Sequence, residues 1–143
     1  MVKASYKYLE HTADVLFMAE AGNLPDLFIQ CGLAVEDAQV NLKKVKPVLR
    51  KRIKEKNSTI EKLLFDFLDD LLFYKDSEQL IFSKFEMEIK QRNKEYELTC
   101  TAFGEKLNPE KHEFKVDVKA ITMHMFEVEL VKGRWKAQVL IDI

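Results

Sequence analysis

The chain has 143 residues, of which 47% are hydrophobic and 33% are charged, with only 4 glycines and 3 prolines. This composition predicts one folded domain spanning residues 1–143 and excludes long disordered segments. The 23 basic and 24 acidic side chains give a formal net charge of −1. That balance argues against phosphate-mediated binding of nucleic acid, so we expect any RNA to be held by a partner protein.

The two cysteines, Cys31 and Cys100, lie far apart in the sequence and form no CxxC motif. We therefore predict two buried thiols in a reducing compartment. The start of the chain has no signal-peptide pattern, and no apolar run approaches the ~18–20 residues that a membrane span needs. These features predict a cytoplasmic protein with no membrane partner.

The first third of the chain predicts two strands and a helix. Residues 6–10 alternate in polarity and indicate a short strand, whereas the apolar run at 15–19 is typical of a buried strand. Asn23 can cap a helix whose apolar residues recur at helical spacing over 24–38.

A basic segment follows at 43–56, and its second part, 48–55, has the pattern of an edge strand. Lysines on edge strands discourage unwanted pairing. A solvated face is therefore the favoured interpretation of this charge, and a patch that binds a partner is the alternative.

The clearest helix is predicted over 59–75. Ser58 and Glu61 have the spacing of a capping box, in which each side chain accepts a hydrogen bond from a free backbone N–H at the helix start. Apolar residues then recur every three or four positions. The opposite face carries three aspartates that the pattern predicts to be mostly solvent-facing: Asp66, Asp69 and Asp70.

From Leu80 onward the hydrophobic period changes to two, which predicts strands. The turn at 91–94 indicates a hairpin, and 104–109 is predicted to be a loop. Alternation resumes over 114–128, and 135–143 is a final strand. We therefore predict an α+β fold, with two helices packed on one face of a mainly antiparallel, mixed β-sheet.

Two carboxylates from opposite ends of the chain are the first candidate site. Asp14 begins an inner strand, and Asp142 precedes Ile143, whose main-chain carboxylate ends the sequence. Ca²⁺ and Mg²⁺ prefer several converging oxygens of this kind. The alternative stays open, because most aspartates at strand ends form turns or cap helices.

The remaining candidates are cationic or titratable. His11, His112 and His124 could each serve as a general base or ligand, although a structural histidine is the commoner case. Lys119 falls in an apolar stretch, so it needs a partner or a phosphate if it faces inward. No nucleophile elbow or phosphate-binding glycine loop is present, which disfavours a stand-alone hydrolase.

Five segments in order make the whole chain resemble the archease family. The HTAD motif stands at 11–14, a loosely matching helix at 24–38, and a closely matching helix at 63–72. The VKAxTxH signature is matched at 118–124, and the family's terminal Asp-aliphatic pair at 142–143. The departures are modest: Met123 stands where the family often has Tyr, and Pro25-Asp26 replaces a glutamate-rich helix start.

The resemblance implies a protein cofactor and not an enzyme. It implies an activator of the tRNA-splicing ligase, which uses GTP and Mn²⁺ and passes through a guanylylated histidine. The activator promotes guanylylation and multiple turnover in joining tRNA halves after intron removal, and it meets tRNA only indirectly through the ligase. The other class that we consider is a general chaperone or interaction module that modulates the solubility of RNA-modifying enzymes.

The resemblance also implies ligands for a divalent metal, seen in the family as Ca²⁺, with Mg²⁺ or Mn²⁺ as further possibilities. The metal site maps onto Asp14, Asp142 and the terminal carboxylate of Ile143. We expect three neighbouring side chains to orient these ligands or to contact phosphate: His11, Lys119 and His124.

Overall fold

A computed structural model describes residues 2–9 and 14–143, and in these ranges it contains two α-helices and seven β-strands. The strands are β1 (Ser5–Leu9), β2 (Asp14–Ala21), β3 (Leu49–Asn57), β4 (Leu80–Arg92), β5 (Glu95–Lys106), β6 (Ala120–Val131) and β7 (Arg134–Asp142). The helices are α1 (Leu24–Gln39) and α2 (Ile60–Glu78), and a short 3₁₀ turn spans Leu42–Lys44.

The predicted α+β fold, with two helices and antiparallel strands in a single domain, is confirmed. The strands form two sheets where the sequence suggested one, in the orders β1-β2-β7-β6 and β3-β5-β4. Every described strand pairing is antiparallel, so the sheets are not mixed. Two sheets arise because the hairpins β4–β5 and β6–β7 each pair with a different early strand, β3 and β2 respectively.

One hydrophobic core joins both helices to both sheets. Helix α1 packs mainly against β2 and β4, whereas α2 packs mainly against β3 and β6. The rings of Phe28 and Phe67 stack between the helices with their centroids 6.3 Å apart. Cys31 and Cys100 are buried free thiols, as predicted. No helix in the described part of the chain is long and apolar enough to cross a membrane.

The start of α1 agrees with the sequence, whereas the start of α2 does not. Asn23 Oδ1 accepts a hydrogen bond from Asp26 N at 2.9 Å, so Asn23 caps α1. In α2 the cap is Thr59, whose Oγ1 accepts from Lys62 N at 3.2 Å, and not Ser58. Strand β3 continues up to residue 57, so Ser58 still belongs to the turn and the predicted capping box does not form.

The β4–β5 hairpin is longer than predicted. Its turn places Asn93 and Lys94 in the left-handed region that tight hairpins require. At the other end, the register shifts between Phe82 and Lys84, and Gly104 pairs with Phe82 inside β5. The predicted loop at 104–109 therefore begins only after β5 ends.

The first part of the stretch predicted as strand over 114–128 is irregular, and the strand β6 begins only at Ala120. Phe114 makes one isolated bridge, to Val40, and the next residues run along the end of α1. Lys115 N donates to Gln39 O at 2.8 Å. Val116 and Val118 pack against the main core from this irregular segment, whereas Phe114 stays exposed.

Candidate metal centre

The two aspartates predicted from opposite ends of the chain are direct neighbours. Strand β2 lies antiparallel to β7, and in their register Asp14 is the partner of Asp142. Directly opposed residues of an antiparallel pair project on the same face, with Cβ atoms about 4.5–5.5 Å apart. The fold therefore brings both carboxylates to one end of the four-stranded sheet.

The end of β7 is held from both sides. This strand lies between β2 and β6, and Asp142 is also the register partner of Ala120. Its carbonyl oxygen accepts a hydrogen bond from Lys119 N at 2.8 Å. The backbone that carries Asp142 is consequently fixed, although its side chain is exposed.

The carboxylate pair lies at the edge of an apolar surface. The next pair along the same face is Leu16 and Leu140, whose side chains are only 6% and 3% exposed. Ile143 packs its side chain against the main core, which holds its backbone beside Asp142. Like charges directly opposite one another destabilise a strand pair, and a cation between them reverses that effect.

The chemistry of these donors fits a hard cation. Asp14 and Asp142 offer only oxygen atoms, as does the main-chain carboxylate predicted at Ile143, and Ca²⁺ and Mg²⁺ prefer such ligands. Within residues 2–9 and 14–143, no group of three or more His, Cys, Asp or Glu side chains is arranged to hold a metal. A cation here would therefore need oxygens beyond the two aspartates, such as water, a partner's phosphates or the main-chain carboxylate predicted at Ile143.

The three neighbouring candidates have different outcomes. His11 lies outside the described residues. Lys119 is exposed and immediately precedes β6, so of its two interpretations the outward-facing one is correct. Its backbone contact with Asp142 nevertheless places it beside the carboxylates. His124 is exposed in an irregular part of β6, and no hydrogen bond or ion pair joins it to Asp142 among the described residues.

His112 is a structural histidine. Its side chain is buried, Nδ1 accepts from Asn108 N at 2.9 Å, and Nε2 lies 3.3 Å from Glu105 Oε2. Lys111 Nζ donates to Glu105 Oε1 at 2.6 Å. Burial by itself would raise the pKa of Glu105, but the hydrogen bonds from Lys111, Lys46 N and His112 lower it to about 2. These contacts hold the turn after β5 in place.

A buried lysine, which was not among the candidates predicted from the sequence, positions the segment before β6. Lys75 Nζ donates to Asp117 Oδ1 at 2.8 Å and to Val118 O at 2.7 Å. The ammonium group lowers the pKa of Asp117. Since Lys119 follows directly, this contact helps to set the approach of β6 to Asp142. The available signal was its spacing, four residues after Leu71 on the apolar stripe of α2.

A buried glutamate inside α1 was also missed. Glu36 is fully buried and accepts hydrogen bonds from Phe82 N at 2.8 Å and from Gln39 Nε2 at 3.1 Å. Burial raises the pKa of Glu36 to about 8, although these two hydrogen bonds and the charge of Lys75 oppose the rise. The Glu36 carboxyl group accepts a hydrogen bond from the backbone N–H of Phe82, where the register of β4 shifts, so its role is structural.

The sequence pattern of the Archease protein family (MTH1598/TM1083) matches residues 6–143 of the chain. The chain belongs to the archease family. Protein archease of Pyrococcus abyssi is 40% identical over 139 residues, covering 96% of this chain and 98% of that protein. Protein archease of Methanosarcina mazei is 36% identical, covering 96% and 95% of the two chains. The family membership predicted from the sequence is confirmed.

Solved structures show the same archease architecture. The solution structure of Methanobacterium thermoautotrophicum protein 1598 is 33% identical, covers 96% of this chain and 98% of its own, and has a TM-score of 0.87. A crystal structure from Thermotoga maritima, described as an archease and possible chaperone, has a TM-score of 0.61 at 18% identity, with 96% of each chain covered. The second likeness shows the fold alone.

Proposed function

We propose that this archease is a protein cofactor and not an enzyme. It activates the GTP-dependent tRNA-splicing ligase, promoting ligase guanylylation and multiple turnover in the joining of tRNA halves. The observation that carries the proposal is the direct register pairing of Asp14 with Asp142 at one end of a sheet. Family membership supports it, since the matched segment includes both residues.

The chain's own residues would act by holding and orienting a divalent cation. Asp14, Asp142 and the Ile143 carboxylate would bind it as oxygen ligands, whether the cation is Ca²⁺, Mg²⁺ or Mn²⁺. Ca²⁺ takes six to eight oxygens and Mg²⁺ takes six, so this set leaves positions for phosphate oxygens of a nucleotide in the partner. When bound, such a cation offsets the charge that develops in nucleotidyl transfer.

Three further side chains have subordinate roles in this proposal. A backbone hydrogen bond holds Lys119 beside Asp142, and its side chain is exposed. Its ammonium group would contact a phosphate of the partner's nucleotide. His11 and His124 would orient ligands or phosphates only once the partner is bound. The Asp142 side chain is exposed to solvent, which suits a site that is completed by another protein.

Multiple-turnover ligation tests the proposal. Limiting ligase from the same organism is mixed with excess tRNA halves, GTP and Mn²⁺, with and without this chain. We expect ligation to pass one equivalent only when the chain is present. Asp14→Asn and Asp142→Asn should each lose this stimulation, because each removes a charged ligand while preserving side-chain shape.

Asp69→Asn is the matched control, because Asp69 is an exposed aspartate on α2 away from the proposed site. It should stimulate ligation as well as the unmodified chain. Melting temperatures of all three variants show whether they are folded. Undiminished stimulation by both the Asp14 and Asp142 variants would refute the proposed role of the carboxylates.

The chaperone or interaction-module function has one observation in its favour. Strand β6 is an edge strand of its sheet and exposes several large apolar side chains. Met123, Met125, Leu130 and Val131 are 54%, 37%, 55% and 39% exposed. Exposed apolar clusters mark protein-interaction surfaces. Suppression of a client's aggregation that survives Asp14→Asn but is lost in Met123→Ser/Leu130→Ser would favour this second function.

A further inference from the structure

The outer face of the β3-β5-β4 sheet concentrates positive charge. Along β3, residues alternate between the core, where Ile53 is 3% exposed, and the solvent. Every solvent-facing position from 50 to 56 is a cation. We call this row the cation strip, and it consists of Arg50, Arg52, Lys54 and Lys56.

The strand register shows what lies beside the cation strip. On the central strand β5, the partners of the strip are Phe103, Thr101, Thr99 and Glu97. Beyond them, the partners on β4 are Lys84, Glu86, Glu88 and Lys90. The opposite face of the same strands carries core residues such as Leu98 and Cys100, against which the helices pack. The outer face is therefore left to solvent by the described helices and strands.

The acidic residues of this face are matched mainly by the cations of β4. Lys90 Nζ lies 3.3 Å from Glu88 Oε1, and Arg92 Nε lies 3.5 Å from Glu97 Oε2. Within the cation strip only Lys56 is in an ion pair with a described residue, at 3.5 Å from a Glu95 oxygen. The guanidinium groups of Arg50 and Arg52 and the Lys54 ammonium thus remain available to a ligand from outside the chain.

The twist of the sheet gives this face a shallow concavity of about 520 Å³. Lys54 and Lys56 line one side of it, and Lys90 and Arg92 line the other. Glu88 and Glu97 also line it and are paired with those two β4 cations. β3 and β4 are the two edge strands of this sheet, and charge on an edge strand also discourages unwanted pairing. The cations of β4 have acidic partners on this face, whereas most of the cation strip has none, so the uncompensated positive charge runs along β3 and fits an elongated anion.

The spacing and chemistry of the face favour a nucleic-acid backbone. Alternate residues of a strand lie about 6.8 Å apart, so the four cations of the strip span about 20 Å and can contact several phosphates of one nucleic-acid strand. Threonine hydroxyls such as those of Thr99 and Thr101 commonly contact phosphate oxygens. Near the strip's other end, Lys84 Nζ lies 5.0 Å from the centre of the half-buried Phe103 ring.

We infer that the outer face of the β3-β5-β4 sheet binds the phosphodiester backbone of a nucleic acid, with the cation strip as its principal contact. This inference goes beyond the proposed activation of a ligase and does not depend on it. It also revises the expectation drawn from net charge, because a value of −1 for the whole chain hides the segregation of cations onto one face.

Fluorescence anisotropy with a labelled oligouridine RNA of about 20 nucleotides tests the inference. For three or four phosphate contacts, affinity should fall about 20- to 50-fold between about 50 mM and about 200 mM KCl. The charge reversal Arg50→Glu/Arg52→Glu/Lys54→Glu should weaken binding at the lower salt by about tenfold or more. Circular dichroism shows whether this variant is folded. If it is not, the neutral triple Gln variant replaces it and should weaken binding in the same direction.

The matched control is Lys3→Glu/Lys43→Glu/Lys62→Glu, which makes the same change in net charge at exposed lysines outside the sheet face. It should bind RNA within about threefold of the unmodified chain. An equal loss in both triple variants would overturn the inference, as would the absence of binding at the lower salt. Displacement of the RNA by polyglutamate at a lower charge concentration than by unlabelled oligouridine would also overturn it, and would assign the face to an acidic protein.

Discussion

Replacing Asp70 with asparagine should stabilise this archease at pH 8 and change its stability little at pH 4. Asp70 lies on α2, and its Oδ2 atom is buried without a hydrogen-bond partner among the described residues. Burial raises the pKa of Asp70 from 3.8 to about 8, with further contributions from the adjacent Glu55 carboxyl and from the charges of Asp69 and Asp66. Two ionised carboxylates cannot donate to each other, so a proton on Asp70 is favoured.

The direction of the pH effect follows from proton binding. Between pH 3.8 and about 8, the folded state binds a proton at Asp70 that the unfolded state has released. The free energy of unfolding therefore falls as pH rises across this window and levels off above it. The rise in the pKa of Asp70 nominally corresponds to several kcal/mol in the free energy of unfolding. Because the side chain is only partly buried and water screens it, we expect about 1–2 kcal/mol.

Urea unfolding at several pH values measures this effect directly. The gain in unfolding free energy for Asp70→Asn over the unmodified chain should grow steadily from pH 4 to pH 8. Titrating groups that do not interact with Asp70 cancel in the difference because they are present in both proteins. Glu110→Gln, an exposed change in the loop after β5, should alter stability by about 0.5 kcal/mol or less at every pH. A gain that did not vary with pH, or a loss at pH 8, would refute the role assigned to Asp70.

Four further substitutions test the fold by equilibrium unfolding. Gly104→Ala should lower the free energy of unfolding by about 3 kcal/mol or more, because an added Cβ would lie 1.8 Å from the Ile81 carbonyl oxygen. A decrease below about 1 kcal/mol would contradict that geometry. Thr59→Ala should lower the free energy of unfolding by about 1 kcal/mol, and Ser58→Ala by less than half of that. The reverse order would show that Ser58 caps the helix. Glu105→Gln should lose about 1–3 kcal/mol at pH 7, a difference that should disappear as pH falls from 4.5 towards the lowered pKa of about 2.

The features that could be predicted from the sequence are those fixed by short stretches of chain. The cap at Asn23 and the hairpin turn at 91–94 depend on residues within four positions of one another, and both are confirmed. The cap of α2 was misplaced by one residue because Ser58 and Thr59 both carry a suitable hydroxyl group. Only the length of β3, which is set by pairing with β5, decides between them.

Features set by distant contacts could not be predicted in the same way. The polarity pattern of the final strand fits either neighbour, so it could not show that Asp142 would stand opposite Asp14. The residues made that pair one candidate with an open alternative, and the resemblance to the family favoured it. Lys75 has the spacing of a core residue, but a buried ammonium needs a partner, and Asp117 lies 42 positions away in an irregular segment. Hydrophobic periodicity in the sequence does not show which distant residues come into contact.

The two proposals concern different sheets and can be separated experimentally. The carboxylate pair lies on β2 and β7, whereas the cation strip lies on β3, and these strands belong to separate sheets. Changes at surface sites that share no partner usually have additive effects. Neutralising Asp14 or Asp142 should therefore abolish ligase stimulation without weakening RNA binding, and reversing the strip should weaken RNA binding with the carboxylates intact. A different result would link the two faces. If the strip variant reduced ligase stimulation with long RNA substrates but not with short ones, the β3-β5-β4 sheet would hold the same RNA strand whose ends the ligase joins.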